Sequence, residues 1–339
     1  MVIVTGANGF IGSNLIQYLN SNGINDVIAV DTTKSRNNEY KFKMVRFLTI
    51  NEFLSQCLSY ISFHTSPDFS KNIDAVFHLG AIVDTASDHT DILHYNYTFS
   101  QILTHFCNTC NIPLLYASSA AVYGNSRKFN ENQKDLTPLN LYAKSKYLFD
   151  NYLQNEFVSN NLNYYGFRFF NVYGPNELHK GNMASAVTQI YAKARVDNNI
   201  TLFKSIDTNI KDGDQSRDFV HVDNIVKTMF NFFNAKNSIP NGIYNVGTGE
   251  SISFTTIATY AKEVIEKHFR TPILINFIET PEELKKSYQS YTRADMTKTR
   301  EIFNDKPNAY AELKEYYEYL NTHVSSAQLK QFLDKIQWK

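Results

Sequence analysis

Short apolar runs and amphipathic stretches alternate along the first 120 residues of the chain. The apolar runs are short enough for buried strands, and the stretches that follow them have helical periodicity. The pattern predicts strands at residues 2–4, 27–30, 74–79 and 113–117, and helices at residues 11–20 and 97–110. Such alternation is typical of a doubly wound parallel sheet with helices on both faces, so we expect a protein of the α/β class.

The second half of the chain keeps this pattern only in part. A helix is predicted over residues 142–155, strands over 164–169 and 242–247, and a strand with a helix over 218–232. Elsewhere the alternation breaks down, and the polar residues 205–216 are expected to form a mobile surface loop. We therefore expect a Rossmann-type domain (residues 1–171 and 217–247), a smaller discontinuous α/β substrate domain (172–216 and 248–321) and a helical tail (322–339).

Glycine or polar residues follow the predicted strands at their carboxyl ends. Gly6, Asp31, Gly80 and Ser119 all occupy such positions. Open α/β sheets bind ligands at this edge, so we expect a ligand site there.

Gly6, Gly9 and Gly12 follow the first strand and precede a helix. Glycines let the backbone approach a pyrophosphate, whose charge the N–H groups at the helix N-terminus stabilise. An isolated glycine triplet is also compatible with a generic helix-entry turn. The preceding strand, the following helix and Asp31 on the next strand together favour dinucleotide binding.

The choice between NAD and NADP stays open in the sequence. Asp31 is placed to bind a ribose diol and favours NAD. Lys34 and Arg36, in the adjacent loop, are suited to a 2′-phosphate and favour NADP, although solvated surface charge would explain them equally well.

Tyr142 and Lys146 lie four residues apart, hence on one face of a predicted helix. A free tyrosine, with a pKa of about 10, is a poor base at neutral pH, and a neighbouring ammonium group is expected to lower that pKa. Ser119, with Ser118 as its alternate, is placed to hydrogen-bond the reacting oxygen. Ordinary amphipathicity also produces such a Tyr/Lys pair, but the glycine turn and the serines favour nicotinamide-dependent chemistry on a hydroxyl group.

Charge and cysteine content exclude several classes of protein. Lys+Arg and Asp+Glu number 33 each, so no basic field exists to attract nucleic acid or an acidic membrane. Neither a signal peptide nor an 18-residue apolar run is found, and we expect a cytoplasmic protein. Cys107 and Cys110 form a CxxC without a second ligand pair, so we expect structural thiols and no metal.

Several motifs resemble one enzyme family. The glycine spacing is similar to that of extended short-chain dehydrogenases/reductases, and residues 116–124 resemble nucleotide-sugar epimerases. Ala120 and Ala121 stand where dehydratases usually have an acidic pair, which disfavours sugar dehydration. Residues 167–185 and 284–295 resemble the ADP-L-glycero-D-manno-heptose 6-epimerase family, and the similarity extends from residue 2 to about residue 321.

This resemblance implies a reaction. The family oxidises carbon six of ADP-D-glycero-D-manno-heptose to a ketone with tightly held NADP, and then reduces the ketone from its opposite face. Tyr142 matches one acid/base of this family and Lys180 the other, with Lys146 and Ser119 completing the catalytic set. The residues alone favour a phosphate contact or plain surface charge for Lys180 over a catalytic role.

The resemblance also implies binding residues and an assembly. Cofactor contacts are expected from Gly6, Gly9, Phe10, Ile11, Gly12, Asp31, Thr32, Leu79, Gly80, Ala81, Asn96, Tyr142, Lys146 and Val172. Substrate contacts are expected from Ser119, Asn171, Asn182, Gln189, Phe203, Arg217 and Tyr288. Asn182 replaces a serine and Gln189 a histidine that are usual in the family. The family forms homo-oligomers, usually pentamers, and acts in lipopolysaccharide core synthesis.

Two other functions remain compatible with the sequence. The first is a nucleotide-sugar 4-epimerase that acts on a UDP-hexose, which would not need a lysine base at position 180. The second is a non-catalytic NAD(P)-binding regulator on the same fold. Such a regulator has no reason to keep Ser119, Tyr142 and Lys146 together.

Overall fold

Seven parallel strands form the central sheet of the protein. The computed structural model describes residues 1–33, 42–63, 72–83, 91–134, 136–157, 162–285 and 288–336, without the side chains of residues 283 and 284. Its strands in chain order are β1 (Val2–Thr5), β2 (Val27–Asp31), β3 (Arg46–Thr49), β4 (Ala75–His78), β5 (Leu114–Ser119), β6 (Tyr164–Phe169), β7 (Asn171–Tyr173), β8 (Asn199–Phe203), β9 (Ser216–Arg217), β10 (Phe219–His221), β11 (Gly242–Val246), β12 (Ile252–Ser253) and β13 (Leu274–Ile278). The central sheet has the order β11-β6-β5-β4-β1-β2-β3.

Helices cover both faces of this sheet. They are α1 (Phe10–Ser21), α2 (Ile50–Phe63), α3 (Asp91–Leu93), α4 (Phe99–Cys110), α5 (Leu141–Glu156), α6 (Ala186–Asp197), α7 (Val222–Asn234), α8 (Phe254–Phe269), α9 (Glu282–Lys285), α10 (Thr297–Ile302), α11 (Ala309–His323) and α12 (Ser326–Asp334). A π-helical turn, His94–Thr98, joins α3 to α4. Within the described ranges, no helix combines the length and the apolar character that crossing a membrane requires.

Successive side chains of β1 pack in two different cores, because side chains alternate between the two faces of a sheet. Val4 packs on one face of the sheet in a cluster with Leu15 of α1 and Met229 of α7. Ile3 packs on the other face in a cluster with Phe106 of α4. These side chains are all fully buried, and each contributes about 1.5–3 kcal/mol through removal of apolar surface from water. The predicted doubly wound α/β fold is confirmed.

A further core lies among α6, α8, α11 and α12. It contains Tyr191, Ala261, Tyr317 and Phe332, and the rings of Tyr191 and Tyr317 stack with centroids 5.4 Å apart. Helix α12 belongs to the segment predicted as a tail, and it packs against α6 and against the short 3₁₀ turn Leu178–Met183. The division of the chain into two domains stays a prediction.

Strand β3 and helix α2 were not among the elements predicted from the sequence. In β3 only Leu48 is fully buried and Arg46 is exposed, so the strand lacks the continuous buried run of β1 and β2. In α2 only Phe53 and Cys57 are fully buried. The helix expected at residues 97–110 also differs, because its first two residues belong to the π-helical turn.

Cys57, Cys107 and Cys110 come together where α2 packs on α4. All three are free thiols, and burial raises the pKa of each. Burial therefore disfavours the reactive thiolate, and Cys57 and Cys107 act as small core residues.

Candidate functional site

The glycine turn between β1 and α1 has a backbone that only glycine can occupy. Gly6 has a φ of +68°, and a Cβ on it would lie 2.7 Å from the backbone nitrogen of Gly80. A Cβ on Gly12 would overlap the Gly6 carbonyl oxygen. Gly9 precedes α1 and offers no side chain to cap the helix. The first N–H groups of α1 are thereby left without a side-chain acceptor, as an anion site requires.

Asp31 lies beside this turn at the carboxyl end of β2. Its carboxylate accepts hydrogen bonds from the backbone N–H groups of Asn8 (2.8 Å) and Thr32 (2.7 Å). The first bond ties the end of β2 to the glycine turn. Lys34 and Arg36, the residues expected to favour NADP, lie outside the described residues.

A cavity of about 740 Å³ opens over the glycine turn. Its walls contain most of the expected cofactor residues, namely Gly6, Gly9, Phe10, Ile11, Gly12, Asp31, Thr32, Leu79, Gly80 and Ala81. Such a volume suits an extended dinucleotide. Together with the glycine backbone, it shows that the residues present fit the cofactor that the sequence indicates. His179, Lys180 and Met183 line the cavity from the 3₁₀ turn. Four of the expected cofactor residues are not part of its walls, namely Asn96, Tyr142, Lys146 and Val172.

Tyr142 and Lys146 lie in the first two turns of α5. Asn140 caps this helix, because its side-chain oxygen accepts a hydrogen bond from the Ala143 N–H. The Lys146 ammonium donates a hydrogen bond of 2.8 Å to the Ala117 carbonyl oxygen in β5. Tyr142 is hydrogen-bonded to Ser119. The structure thus brings together the predicted phenol, ammonium and hydroxyl groups where β5 meets α5.

Burial determines the protonation of this pair. It raises the pKa of Tyr142, and the hydrogen bond from Ser119 only partly opposes this. The expectation that Lys146 lowers the Tyr142 pKa is therefore wrong for the protein alone, where the ammonium is bonded to Ala117. Burial also lowers the pKa of Lys146 to about 8, although the Asp150 carboxylate opposes the change.

Asn96 positions α5 from the π-helical turn. Its amide exchanges two hydrogen bonds with the backbone of Ile82 (2.8 and 2.9 Å) and donates a third to Ser145 (3.1 Å). The Ser145 hydroxyl in turn donates to the Tyr142 carbonyl oxygen (2.7 Å). Asn96 therefore connects the segment after Ala81 to the helix that carries the phenol.

Asp150 forms a buried polar centre that the sequence analysis did not identify. Its carboxylate accepts hydrogen bonds from Tyr116 (3.0 Å), Ser118 (2.9 Å) and Arg168 (3.0 Å). The side chains of Asp150 and Arg168 are 0% and 2% exposed. Ser118, the predicted alternate to Ser119, is committed to this centre. The centre joins α5 to β5 and β6 directly behind Lys146.

Lys180 reaches the cofactor cavity from the 3₁₀ turn, where its ammonium lies 5.3 Å from the centroid of the Phe10 ring. Burial lowers the pKa of Lys180, and the charge of Glu177 partly opposes this. Glu177 is buried and accepts hydrogen bonds from the backbone of Gly174 (3.1 Å) and Ser185 (2.6 Å), which fixes the segment on either side of Lys180.

Arg217 lies among aromatic side chains. It is 8% exposed, and its guanidinium carbon is 5.3 Å from the ring centroid of Tyr288 and 5.7 Å from that of Phe254. Phe203 meets Tyr288 edge to face. No carboxylate of the described residues lies within 4 Å of the guanidinium, and burial lowers the Arg217 pKa to about 10. A desolvated cation beside aromatic rings is suited to a diphosphate and an adjoining base.

The other predicted substrate residues lie on β7, on the 3₁₀ turn and on α6. Asn171 is exposed, and its side chain is 3.5 Å from the Thr292 hydroxyl. Asn182 is exposed on the 3₁₀ turn. The Gln189 amide donates hydrogen bonds to the carbonyl oxygens of Asn182 (3.2 Å) and Ala184 (2.8 Å), so it supports the turn that carries Lys180.

Comparison with known proteins agrees with this arrangement. The model of the NAD dependent epimerase/dehydratase family matches residues 2–247. A relative from Brachyspira hyodysenteriae named ADP-L-glycero-D-manno-heptose-6-epimerase is 38% identical over an alignment of 326 residues. The alignment covers 94% of this chain and 98% of that protein.

Solved structures share the fold. The ADP-L-glycero-D-manno-heptose-6-epimerase of Helicobacter pylori gives a TM-score of 0.74 at 24% identity, covering 95% of this chain and 96% of that one. The UDP-N-acetylglucosamine 4-epimerase of Methanobrevibacter ruminantium M1 also gives 0.74 at 24% identity, covering 95% and 98%. At these identities the likeness shows the fold alone. From the family model and the 38% identical relative, the chain belongs to the NAD dependent epimerase/dehydratase family.

Proposed function

We propose that the protein inverts carbon six of ADP-D-glycero-D-manno-heptose to give ADP-L-glycero-D-manno-heptose. The observation that carries this proposal is the 38% identity, over 94% of the chain, to a relative that bears the name of this activity. Solved structures of similar TM-score include 4-epimerases of UDP-sugars, so fold likeness does not select the sugar. The presence of Lys180 on the cofactor cavity supports inversion at carbon six over a 4-epimerase reaction.

Tyr142 is the proposed acid/base on one side of the reacting carbon. The Ser119 hydroxyl at the end of β5 favours the phenolate form of Tyr142, and the substrate hydroxyl is proposed to bind between these two groups. The ammonium of Lys146 lies one helical turn away and supplies positive charge that favours the phenolate as the proton leaves. Because burial raises the Tyr142 pKa, this charge must act when substrate and cofactor are in place.

Lys180 is the proposed acid/base on the opposite side. Its pKa is lowered by burial, which makes proton exchange near neutral pH easier than for an exposed lysine. The bonds of Glu177 to Gly174 and Ser185 hold the turn in position. Inversion requires proton transfer on both faces of the ketone, and two separate groups supply it.

The glycine turn, Asp31, Asn96 and Lys146 are the proposed cofactor-binding groups. When bound, a nicotinamide cofactor supplies a hydride acceptor that can return the hydride to the other face. NADP is the proposed cofactor because of the family resemblance. NAD is the alternative, because the Asp31 carboxylate at the glycine turn is suited to a ribose diol.

Arg217 is proposed to bind the diphosphate of the substrate, with Phe203 and Tyr288 beside the nucleotide. Asn171, Asn182 and Gln189 are proposed to contact the sugar, directly or through the 3₁₀ turn. We further propose a cytoplasmic homo-oligomer, a pentamer by family resemblance. Light scattering of the purified protein checks the mass: a mass of five 39.0 kDa chains is expected, and a monomer would contradict this part of the proposal.

The first test is NMR of the purified protein with ADP-D-glycero-D-manno-heptose and no added cofactor. Formation of the L-glycero epimer is expected, because the cofactor is retained and not consumed. UDP-glucose is tested in parallel as the comparison substrate. Conversion of UDP-glucose, without conversion of the heptose, would establish the 4-epimerase alternative. A protein that releases cofactor on denaturation but converts neither sugar would contradict both.

Lys180→Ala tests the two-base mechanism. Inversion is expected to fall at least about 100-fold, the contribution of one acid/base group, while the cofactor stays bound. Lys204→Ala is the control, because this exposed lysine forms an ion pair with Glu279 on the surface. Retained inversion in Lys180→Ala would rule out Lys180 as the second base.

A further inference from the structure

A second concave region lies beside the turn that follows β11. It is a groove of about 410 Å³, and its walls include Arg127, Arg293 and Arg300. None of the residues that line it is among the candidate cofactor or substrate residues. Three guanidinium groups share this groove with one carboxylate, that of Asp295, so the groove has a local excess of positive charge in a chain without net charge.

Two of these guanidinium groups are held side by side. Arg300 donates a hydrogen bond of 2.7 Å to the carbonyl oxygen of Thr248, and Arg293 donates one of 2.8 Å to that of Gly249. Gly249 has a φ of +74°, and a Cβ on it would lie 3.2 Å from the Arg300 guanidinium. Consecutive carbonyl groups thus fix two like charges next to each other.

These two guanidinium groups form no ion pair with the described residues. No carboxylate among them lies within 4 Å of Arg293 or Arg300. Asp295 lines the groove, but its carboxylate accepts from Asn130 (2.9 Å) and from the Thr297 backbone (3.1 Å). The Arg300 Nε is buried and has no hydrogen-bond partner among the described residues. A buried donor without an acceptor is costly, so the protein alone satisfies the Arg300 guanidinium incompletely. The part of this side chain that lines the groove is available to an anion.

The remaining walls suit a small ligand. Arg127 is 79% exposed at the rim, where it makes a 3.2 Å ion pair with Asp207. Phe129 and Tyr291 form an apolar side, with ring centroids 6.1 Å apart. The groove is of a size that suits a small ligand, and planar guanidinium groups match the oxygens of a phosphate.

We propose that this groove binds a phosphate group, carried by a small phosphate monoester or present as inorganic phosphate. Arg293 and Arg300 bind the oxygens, and Arg127 approaches from the rim. The proposal is independent of the heptose reaction, because it concerns residues outside the proposed active site and its test measures binding.

The test is calorimetric titration of the purified protein, in a buffer free of phosphate and sulfate, with inorganic phosphate and with glucose 6-phosphate. Arg293→Gln and Arg300→Gln are each expected to weaken binding at least about tenfold, the loss of a charge-assisted hydrogen bond. Arg217→Gln removes the proposed diphosphate site and should leave this binding intact. Arg195→Gln is the surface control, because its guanidinium stacks on Phe269 outside the groove.

The two ligands distinguish the source of the phosphate. Tighter binding of the monoester identifies a phosphorylated metabolite, and equal or tighter binding of inorganic phosphate identifies the free ion. The proposal is overturned if neither ligand binds. It is also overturned if Arg217→Gln abolishes binding while Arg293→Gln leaves it unchanged. Arg127 is exposed, so Arg127→Gln is not expected to disturb the fold. This substitution should weaken phosphate binding about threefold, a modest loss for a contact at the rim.

Discussion

Asp150→Asn is expected to change the pH dependence of the reaction. The substitution removes the buried carboxylate that keeps Lys146 charged, and Lys146 has a pKa of about 8 in the structure. Side chains four residues apart on a helix lie about 6 Å apart. At an effective dielectric constant of 20, two unit charges at this distance interact by about 2.8 kcal/mol, or about two pKa units.

The sign of the change follows from the charge that is lost. Without Asp150 the Lys146 pKa falls further, so the ammonium form is lost at lower pH. For a fall of about two units, the charged fraction decreases about twofold at pH 6 and about 25-fold at pH 7.5. The ratio of wild-type to variant kcat/KM should therefore rise steeply between these two pH values. NMR assays of heptose inversion across this range measure it.

Loss of stability must be separated from this effect. Arg168 keeps its charge in the variant and loses its buried partner, which is expected to cost about 3–5 kcal/mol in the free energy of unfolding. Asp150→Glu is the matched control, because it retains the carboxylate and should restore the pH profile. Urea titration reports stability independently. If folded Asp150→Asn has the wild-type pH profile, Asp150 does not control the charge of Lys146.

Three further predictions follow from individual contacts. Gly12→Ala places a Cβ against the Gly6 carbonyl oxygen and should weaken cofactor binding. The amount of cofactor that the purified variant releases on denaturation, measured by absorbance, should be at least about tenfold lower than for the wild type. An unchanged amount would contradict the glycine-turn site. Arg217→Lys loses the planar guanidinium and should raise KM about tenfold with kcat within threefold, whereas an unchanged KM would remove Arg217 from the diphosphate site. Phe332→Ala removes a buried side chain and should lower the free energy of unfolding, measured in urea, by about 3–5 kcal/mol. Tyr310→Ala, at an exposed position, should lower it by less than about 0.5 kcal/mol. Equal effects of the two substitutions would contradict the packing of α12.

The central fold could be predicted because its determinants are local. The runs at β1 and β2 are continuous and buried on both faces, and the glycine turn follows directly from β1. The spacing of Tyr142 and Lys146 places both on one helix face without any knowledge of the rest of the chain. These features depend on a few neighbouring residues.

The features that were missed depend on distant residues or on burial. Asp150 acquires its role from Tyr116, Ser118 and Arg168, which lie 34, 32 and 18 positions away. The direction of the Tyr142 pKa depends on how deeply α5 is packed, which residue spacing does not reveal. The groove at Arg293 forms only when segments around residues 127, 249 and 300 meet.

The packing of α12 has a consequence for synthesis of the protein. Lys335, just after this helix, lies 3.6 Å from the Cβ position of Gly181, next to the lysine proposed as the second base. The ribosome makes the whole central sheet, from β1 to β11, about 80 residues before it makes α12. A nascent or truncated chain that stops before Ser326 can therefore complete the glycine turn while the turn around Lys180 still lacks its support. Such a chain would be a cofactor-binding intermediate that has not yet gained its second base.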